Sequence, residues 1–458
     1  MESLMKKIDL EKKFRQVNPV TISPLALALA ACGGGGGGTS TGKMAQATTF
    51  PLTGNKFKDA STQGSKWSPE NNILTYAVAN GFNGEQWDNV STVNSQLTAA
   101  MQQVVQFTNL KVQNLGNFND ATEAANAGAT IVLSLDGSVI SDIYGNDVWA
   151  VGFFPNAEDY PYEFVAGDMY LNLNSVGANL PLSAYSPGGE GFMLLLHELG
   201  HALGLKHPHS DAGGRLTYAE AGYSYYQDQR FTLMAYEDEF GDVLNKPATF
   251  MLGDVLSLMS LYGVNNSTNV GDTTYAFSDL TTRKTIWDAS GTDTLDLSAM
   301  TDPTKVYLTR YYSDADLGMY YGHIIQNPDT NDQKWHHLLG DFEILICGSG
   351  DDIIYGDQEN NTIYGGAGDD FIFGYEGNDI LYGNEGADSF ILAEGYGNDV
   401  IRDFEVGTDN CYFWTGSEYN SSIATLSSDV NGDALYTLAD GSSFLLEGVL
   451  YSDVAIIA

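Results

Sequence analysis

The sequence predicts two folds in series: an α/β domain built around one metal-binding helix, then an all-β roll of parallel strands. Two stretches carry this prediction. Residues 192–208 read FMLLLHELGHALGLKHP, an apolar helix that presents His197, His201 and His207. From Cys347 onwards a nine-residue pattern runs through five unbroken rows. Between them and ahead of them, strand-like and helix-like periodicities alternate as an α/β domain requires.

On the first helix, positions i and i+4 share a face, so His197 and His201 can offer two imidazoles to one metal. Glu198 points to the side, where it can hold an attacking water. Gly204 can adopt the left-handed conformation that stops a helix, and the reversed chain brings His207 to the same point. Pro208 discourages further helix. The pattern H-E-x-x-H-x-x-G-x-x-H is complete, and three nitrogen ligands with an open fourth position describe catalytic rather than structural Zn²⁺. Leu195, Leu199, Ala202 and Leu203 occupy ordinary core positions.

Taken in order, residues 1–44 read as a leader. A basic start precedes a short apolar run ending at Cys32, and six glycines follow. Such a segment has the form of a secretory signal, and Leu29 to Cys32 looks like a site for lipidation through Cys32, with the glycines as a tether. Residues 71–79, 129–135, 147–154 and 168–173 read as strands, and 92–105 as a helix with Val93, Leu97, Met101 and Val105 in phase. Strands leading into such a helix suit an extended peptide bound along a sheet edge. Met234 lies 27 residues beyond His207 and is followed two positions later by Tyr236. That has the form of a Met-turn, placing a thioether beneath the ligand set and swinging Tyr236 towards the metal. A helix over 247–264 closes the domain.

The nine-residue rows start at Cys347, Gly356, Gly365, Gly374 and Gly383. They follow the template G-G-x-G-x-D-x-U-x of a calcium-binding roll. Gly348, Gly350, Gly366, Gly368, Gly377 and Gly386 allow the tight turn and close carbonyl approach. Asp352, Asp370, Asp379 and Asp388 are hard oxygen ligands suited to Ca²⁺. Ile354, Ile372, Leu381 and Phe390 take the inward apolar position. Successive rows fall on opposite sides of the roll, so each ion is expected between rows two apart. Rows two and four pair Asn361 with Asp379, and Glu359 replaces a glycine, so that site is expected to be weaker. A shorter signal, Gly397 to Ile401, follows the array. Residues 302–337 carry no motif.

The 20 basic and 59 acidic residues give a formal charge of −39. Such a surface repels nucleic acid and anionic membranes, and is self-repulsive unless cations are bound. Three cysteines, Cys32, Cys347 and Cys411, are too few and too scattered for a disulfide framework. No apolar stretch is long enough for a transmembrane helix.

With these motifs in place, the sequence resembles the serralysins, RTX-type bacterial metalloproteases of the metzincin clan. The likeness rests on His207-Pro208, on the helix ending Leu261-Tyr262-Gly263 and on the stretch Ile286 to Asp296, and it covers about residues 67–410. It implies a metzincin zinc-protease domain over 45–265 followed by a parallel β-roll with a C-terminal secretion region over 266–458. It further implies that His197, His201 and His207 hold zinc, with Glu198 as general base. Tyr236 is implied as an additional ligand that stabilises the oxyanion, and Gly291 and Asp293 as calcium ligands. The implied activity is cleavage of proteins or peptides in a cleft beneath an edge strand, with 148–154 the candidate strand. The implied setting is outside the cell; a monomer is expected, and the leader, not the resemblance, suggests attachment through Cys32. The N-terminal leader and the ending Asp453 to Ala458 cannot both be the principal export signal. Two other classes fit parts of the sequence: a calcium-dependent binding module with a relic protease domain, and a zinc hydrolase of non-protein substrates.

Overall fold

In the computed structural model the described residues are 45–81, 84–135, 148–157, 166–172, 182–236, 246–314, 319–328, 334–414 and 424–454. The leader with Cys32, and the last four residues, lie outside them.

The first part of the chain forms a small hairpin, β1 (Gln46–Thr49) with β2 (Ser65–Ser68), and a sheet of β3 (Ile73–Ala79), β4 (Lys111–Phe118), β5 (Ile131–Leu135), β6 (Ala150–Gly152) and β7 (Asp168–Leu171). Sheet order is β4-β3-β5-β7-β6, parallel except for the antiparallel edge strand β6. The central strands β5 and β7 are buried throughout, as their apolar runs require. Strand β4 was not legible as a strand. It is an edge strand of mostly polar, part-exposed residues, and pairing with β3 rather than its own pattern holds it.

Helix α1 (Val90–Phe107) starts where the Asn89 side chain accepts the Thr92 N–H at 3.1 Å. It buries Val93, Leu97, Ala100, Met101, Val104 and Phe107 against the sheet and against α2 (Glu190–Ala202). At about 1.5–3 kcal/mol for each large apolar side chain, this interface contributes substantially to the domain's stability. Helix α2 ends as its sequence dictates. Gly204 sits at φ +101°, and a methyl there would strike the Ser65 carbonyl. The carbonyls exposed at this end accept hydrogen bonds from Trp67 Nε1 (to Ala202, 2.8 Å) and the Tyr262 hydroxyl (to Leu203, 2.8 Å). Helix α3 (Leu252–Tyr262) is shorter than the 247–264 expected, because Pro247 to Phe250 pair and pack towards the following domain instead.

From Thr274 to Leu450 the regular elements among the described residues are all strands, and a short helix, Tyr451–Val454, follows. The strands are β8 (Thr274–Ala276), β9 (Lys284–Trp287), β10 (Thr294–Asp296), β11 (Thr304–Asp314), β12 (Met319–Gln326), β13 (Lys334–Leu339), β14 (Ile344–Ile346), β15 (Ile353–Asp357), β16 (Thr362–Ala367), β17 (Phe371–Tyr375), β18 (Ile380–Glu385), β19 (Ser389–Ala393), β20 (Asn398–Ile401), β21 (Asn410–Trp414), β22 (Thr425–Ser428), β23 (Asp433–Thr437) and β24 (Ser443–Leu450). Alternate rows join opposite sheets: β15-β17-β19-β21 on one side and β14-β16-β18-β20 on the other, all parallel. Ile354, Ile363, Ile372, Leu381 and Phe390 are fully buried between them. The motif-free stretch 302–337 supplies β11, β12 and part of β13, an antiparallel meander that extends one sheet back to β9. Its periodicity is obscured because both faces of β12 and β13 are covered. His323, His336 and His337 are interior residues here.

The two parts belong to one compact unit. Trp287, Tyr321 and Leu339 of the all-β part pack into the α/β core.

Candidate metal centre and calcium ladder

The three histidines converge. Nε2 of His207 lies 3.1 Å from Nε2 of His197 and 3.0 Å from Nε2 of His201. Nitrogens sharing a tetrahedral metal at about 2.0–2.1 Å are separated by about 3.3 Å, so one small cation fits between them. The ring orientations are fixed from behind. His197 Nδ1–H donates to the Leu233 carbonyl at 2.7 Å and His201 Nδ1–H to the Leu205 carbonyl at 2.9 Å, leaving each Nε2 bare. Burial pushes the pKa of His197 down to about 4, that of His201 to about 3, and that of His207 lower still. The rings therefore stay neutral, as ligands must. Donor type, tautomer and spacing fit zinc. The three rings are the one cluster among the described residues whose side chains gather tightly enough to hold a metal in this way.

Glu198, adjacent on α2, is buried, and burial pushes its pKa up to about 8, while a hydrogen bond from the Gly152 backbone opposes the rise. That bond comes from the edge strand β6. A methyl on Gly152 would collide with the Glu198 carbonyl, so strand and helix touch through bare backbone. Tyr236 stands at the mouth. Its hydroxyl is 2.8 Å from His207 Nε2, and its ring stacks on His197 at 5.9 Å while 58% of its surface stays exposed. Local desolvation and the Glu198 charge raise its pKa. Met234 lies beneath α2, with Sδ 2.7 Å from where a Gly200 methyl would stand.

Two residues of this region carried no sequence signal. Asp254, on α3, accepts from Thr232 Oγ1 (2.6 Å), Leu233 N (2.7 Å) and Met251 N (3.1 Å), and burial raises its pKa to about 7. It clamps the turn whose Leu233 carbonyl orients His197. His209 stacks on His207 at 5.2 Å with the rings 7° from parallel.

In the roll, aspartates two rows apart are linked. Asp352 N donates to Asp370 Oδ1 (2.8 Å), Asp370 N to Asp388 Oδ1 (2.9 Å) and Asp388 N to Asp409 Oδ1 (2.9 Å). On the other side Asn361 N donates to Asp379 Oδ1 (2.8 Å) and Asp379 N to Asp399 Oδ1 (3.0 Å). Oδ2 of Asp370, Asp379 and Asp388 is buried without a partner, the mark of a site built for a cation. Desolvation raises the pKa of Asp352 to about 6, Asp370 to about 8, Asp379 to about 9 and Asp388 to about 6. The turn glycines Gly348, Gly350, Gly366, Gly368, Gly377 and Gly386 each lie against the backbone of a neighbouring turn, with no room for a side chain. Rows one, three and five share one ladder and rows two and four the other, as the spacing requires. Asp399 and Asp409 extend both ladders at spacings of 20 and 21 residues, outside the nine-residue period.

Gly291 and Asp293 lie together at the start of the roll. Asp293 Oδ1 accepts Thr273 N at 2.8 Å, and Glu343 Oε2 accepts Asp293 N at 2.7 Å. Burial and the neighbouring Asp288 and Asp272 raise the pKa of Asp293 to about 6, and burial with Asp293 and Asp341 raises that of Glu343. Glu343 is a further acidic member that the sequence did not single out.

The chain is similar to known proteins over part of its length. The model of the RTX calcium-binding nonapeptide repeat matches residues 346–381, 355–390 and 364–401. Metallopeptidase AprA of Pseudomonas marginalis is 32% identical over 38% of this chain and 39% of its own length. Serralysin of Photorhabdus sp. strain Az29 is 29% identical over 57% and 52%, and serralysin C of Dickeya chrysanthemi 32% identical over 41% and 40%. The chain is similar to serralysin-type RTX metalloproteases. It spans about two-fifths to one half of the length of these serralysin relatives. A solved structure, the AlgE6R3 subunit of the Azotobacter vinelandii mannuronan C5-epimerase, is 21% identical over 24% of this chain and 81% of its own, with a TM-score of 0.12 that carries no argument. No helix among the described residues is long and apolar enough to cross a membrane.

Proposed function

We propose that the chain is a zinc metalloendopeptidase of the metzincin type, with a catalytic domain over 45–265 and a calcium-stabilised roll over 266–458. The observation that carries this reading is the convergence of three histidine Nε2 atoms beside a buried glutamate. Serralysin and metallopeptidase relatives at about 30% identity support it.

In this reading His197, His201 and His207 hold Zn²⁺, which would polarise the scissile carbonyl and acidify the attacking water. Glu198 takes the proton from that water and returns it to the leaving amine. Its raised pKa makes it a competent proton acceptor near neutrality once a nearby dication favours its charged form. The Tyr236 hydroxyl, carried by a largely exposed side chain at the mouth, donates to the developing oxyanion. The substrate is an extended peptide added along β6, the edge strand of the described sheet, whose Gly152 backbone meets Glu198.

Calcium fills the ladders through Asp352, Asp370, Asp379 and Asp388, and a further site through Gly291 and Asp293. The protein acts outside the cell as a monomer on protein substrates. Attachment through Cys32 belongs to the same proposal, and mass analysis of the mature N-terminus tests it. The activity itself is tested by incubating the purified full chain with unfolded casein in Zn²⁺ and Ca²⁺. Internal cleavage should be blocked by a zinc chelator and restored by Zn²⁺. Intact casein in every condition contradicts the proposal.

A further inference from the structure

Strand β13 of the roll reaches the turn that orients the metal site. His337 Nε2–H donates to the carbonyl of Arg230 at 2.7 Å, across 107 residues of sequence, and the His337 ring packs on Phe231 at 5.2 Å. The neighbouring Trp335 lies under the Arg230 guanidinium at 5.6 Å and faces Phe231 at 6.5 Å. Arg230 is in turn held by Asp228, which accepts its Nε at 2.8 Å and its backbone N at 2.7 Å.

The clamped segment leads straight into the site. The Asp228 carbonyl accepts Phe231 N (2.9 Å) and Thr232 N (3.1 Å), and Gly253 N donates to the Phe231 carbonyl (2.7 Å). Leu233 follows, and its carbonyl fixes the His197 ring. Met234 comes next. Only three residues separate the carbonyl held by His337 from Met234.

We propose that His337 is a positioning residue for the metal centre: by anchoring Arg230 from the roll, it sets the turn that aims His197. The roll thus completes the active site as well as carrying calcium. The ring Nδ1 of His337 is buried without a partner, a desolvation cost that the Nε2 bond to Arg230 must offset. A hydrogen-bonding group at this place is explained by what its other nitrogen holds.

The inference rests on the zinc-site reading, and Co²⁺ separates the two. The full chain, Ca²⁺-saturated, is loaded with Co²⁺ in the wild type and in His337→Leu, His337→Gln and His337→Asn. Gln can carry an N–H to the Nε2 position and Asn cannot. Metal affinity is read by chelator competition and ligand geometry by the visible Co²⁺ spectrum, with circular dichroism checking the roll. Loss of a residue supporting a metal ligand typically costs 10–100-fold in affinity. One step further out, about tenfold weaker binding and an altered spectrum are expected for Leu and Asn, and near wild-type values for Gln. A folded Leu variant with unchanged affinity and spectrum overturns the inference. If Leu does not fold, the Gln and Asn pair decides on the same readouts. A wild type that binds no metal at all contradicts the zinc-site reading instead.

Discussion

The Tyr236 hydroxyl, 2.8 Å from His207 Nε2, is the one oxyanion donor proposed here that a single atom deletion removes. Tyr236→Phe is expected to lower kcat about a hundredfold with KM nearly unchanged, since the lost bond forms mainly in the transition state. Steady-state kinetics on a fluorogenic peptide check this, and an equal effect on KM alone would count against it. Asp254 makes a different prediction. Its pKa is raised from 3.8 to about 7, so its contribution to stability is full below the unfolded value and is lost as pH rises through about 7. Asp254→Asn should be less stable at pH 4, because one acceptor becomes a donor, and show a flatter decline between pH 4 and pH 7 in urea unfolding. At this scale the sequence singled out His197, His201, His207, Glu198, Met234 and Tyr236, and the structure brings the three imidazoles and the Tyr236 hydroxyl together; helical spacing accounts for the first two histidines and the Gly204 turn for the third. Asp254, Glu343 and His337 were not legible: each acts on a backbone group brought near only by the tertiary fold.

At the scale of elements, β6 and α2 touch where Gly152 meets the Glu198 carbonyl. Gly152→Val must part strand from helix, and a loss of more than tenfold in kcat/KM is expected, with zinc content retained in metal analysis. Helix α2 itself was fully legible, including its stop at Gly204. Strand β4 was not, since an exposed edge strand needs no apolar alternation. The meander β11–β13 was missed because its residues face a core on one side and the α/β domain or neighbouring rings on the other, which erases a period of two. The ladder rungs at Asp399 and Asp409 escape for a related reason: their strands pair in register, but the loops before them break the nine-residue count.

Over the whole molecule, a net charge of −39 and four roll aspartates with pKa values raised to about 6–9 describe a protein waiting for cations. Without calcium, these carboxyls stabilise the roll below about pH 4, and that contribution is lost as pH rises through 6–9. Calcium should reverse the trend and release protons on binding. Calorimetric titration at pH 7 in buffers of differing ionisation enthalpy is expected to give a buffer-dependent heat, and a heat independent of buffer would remove these aspartates as ligands. The central claim is peptide hydrolysis driven by Glu198 beside a three-histidine zinc site. It is tested most directly by comparing the full chain with Glu198→Gln on unfolded casein, both loaded with Zn²⁺ and Ca²⁺ and assayed for metal. One zinc in each protein is expected, with cleavage only by the wild type. Cleavage by both, or by neither despite bound zinc, would contradict it.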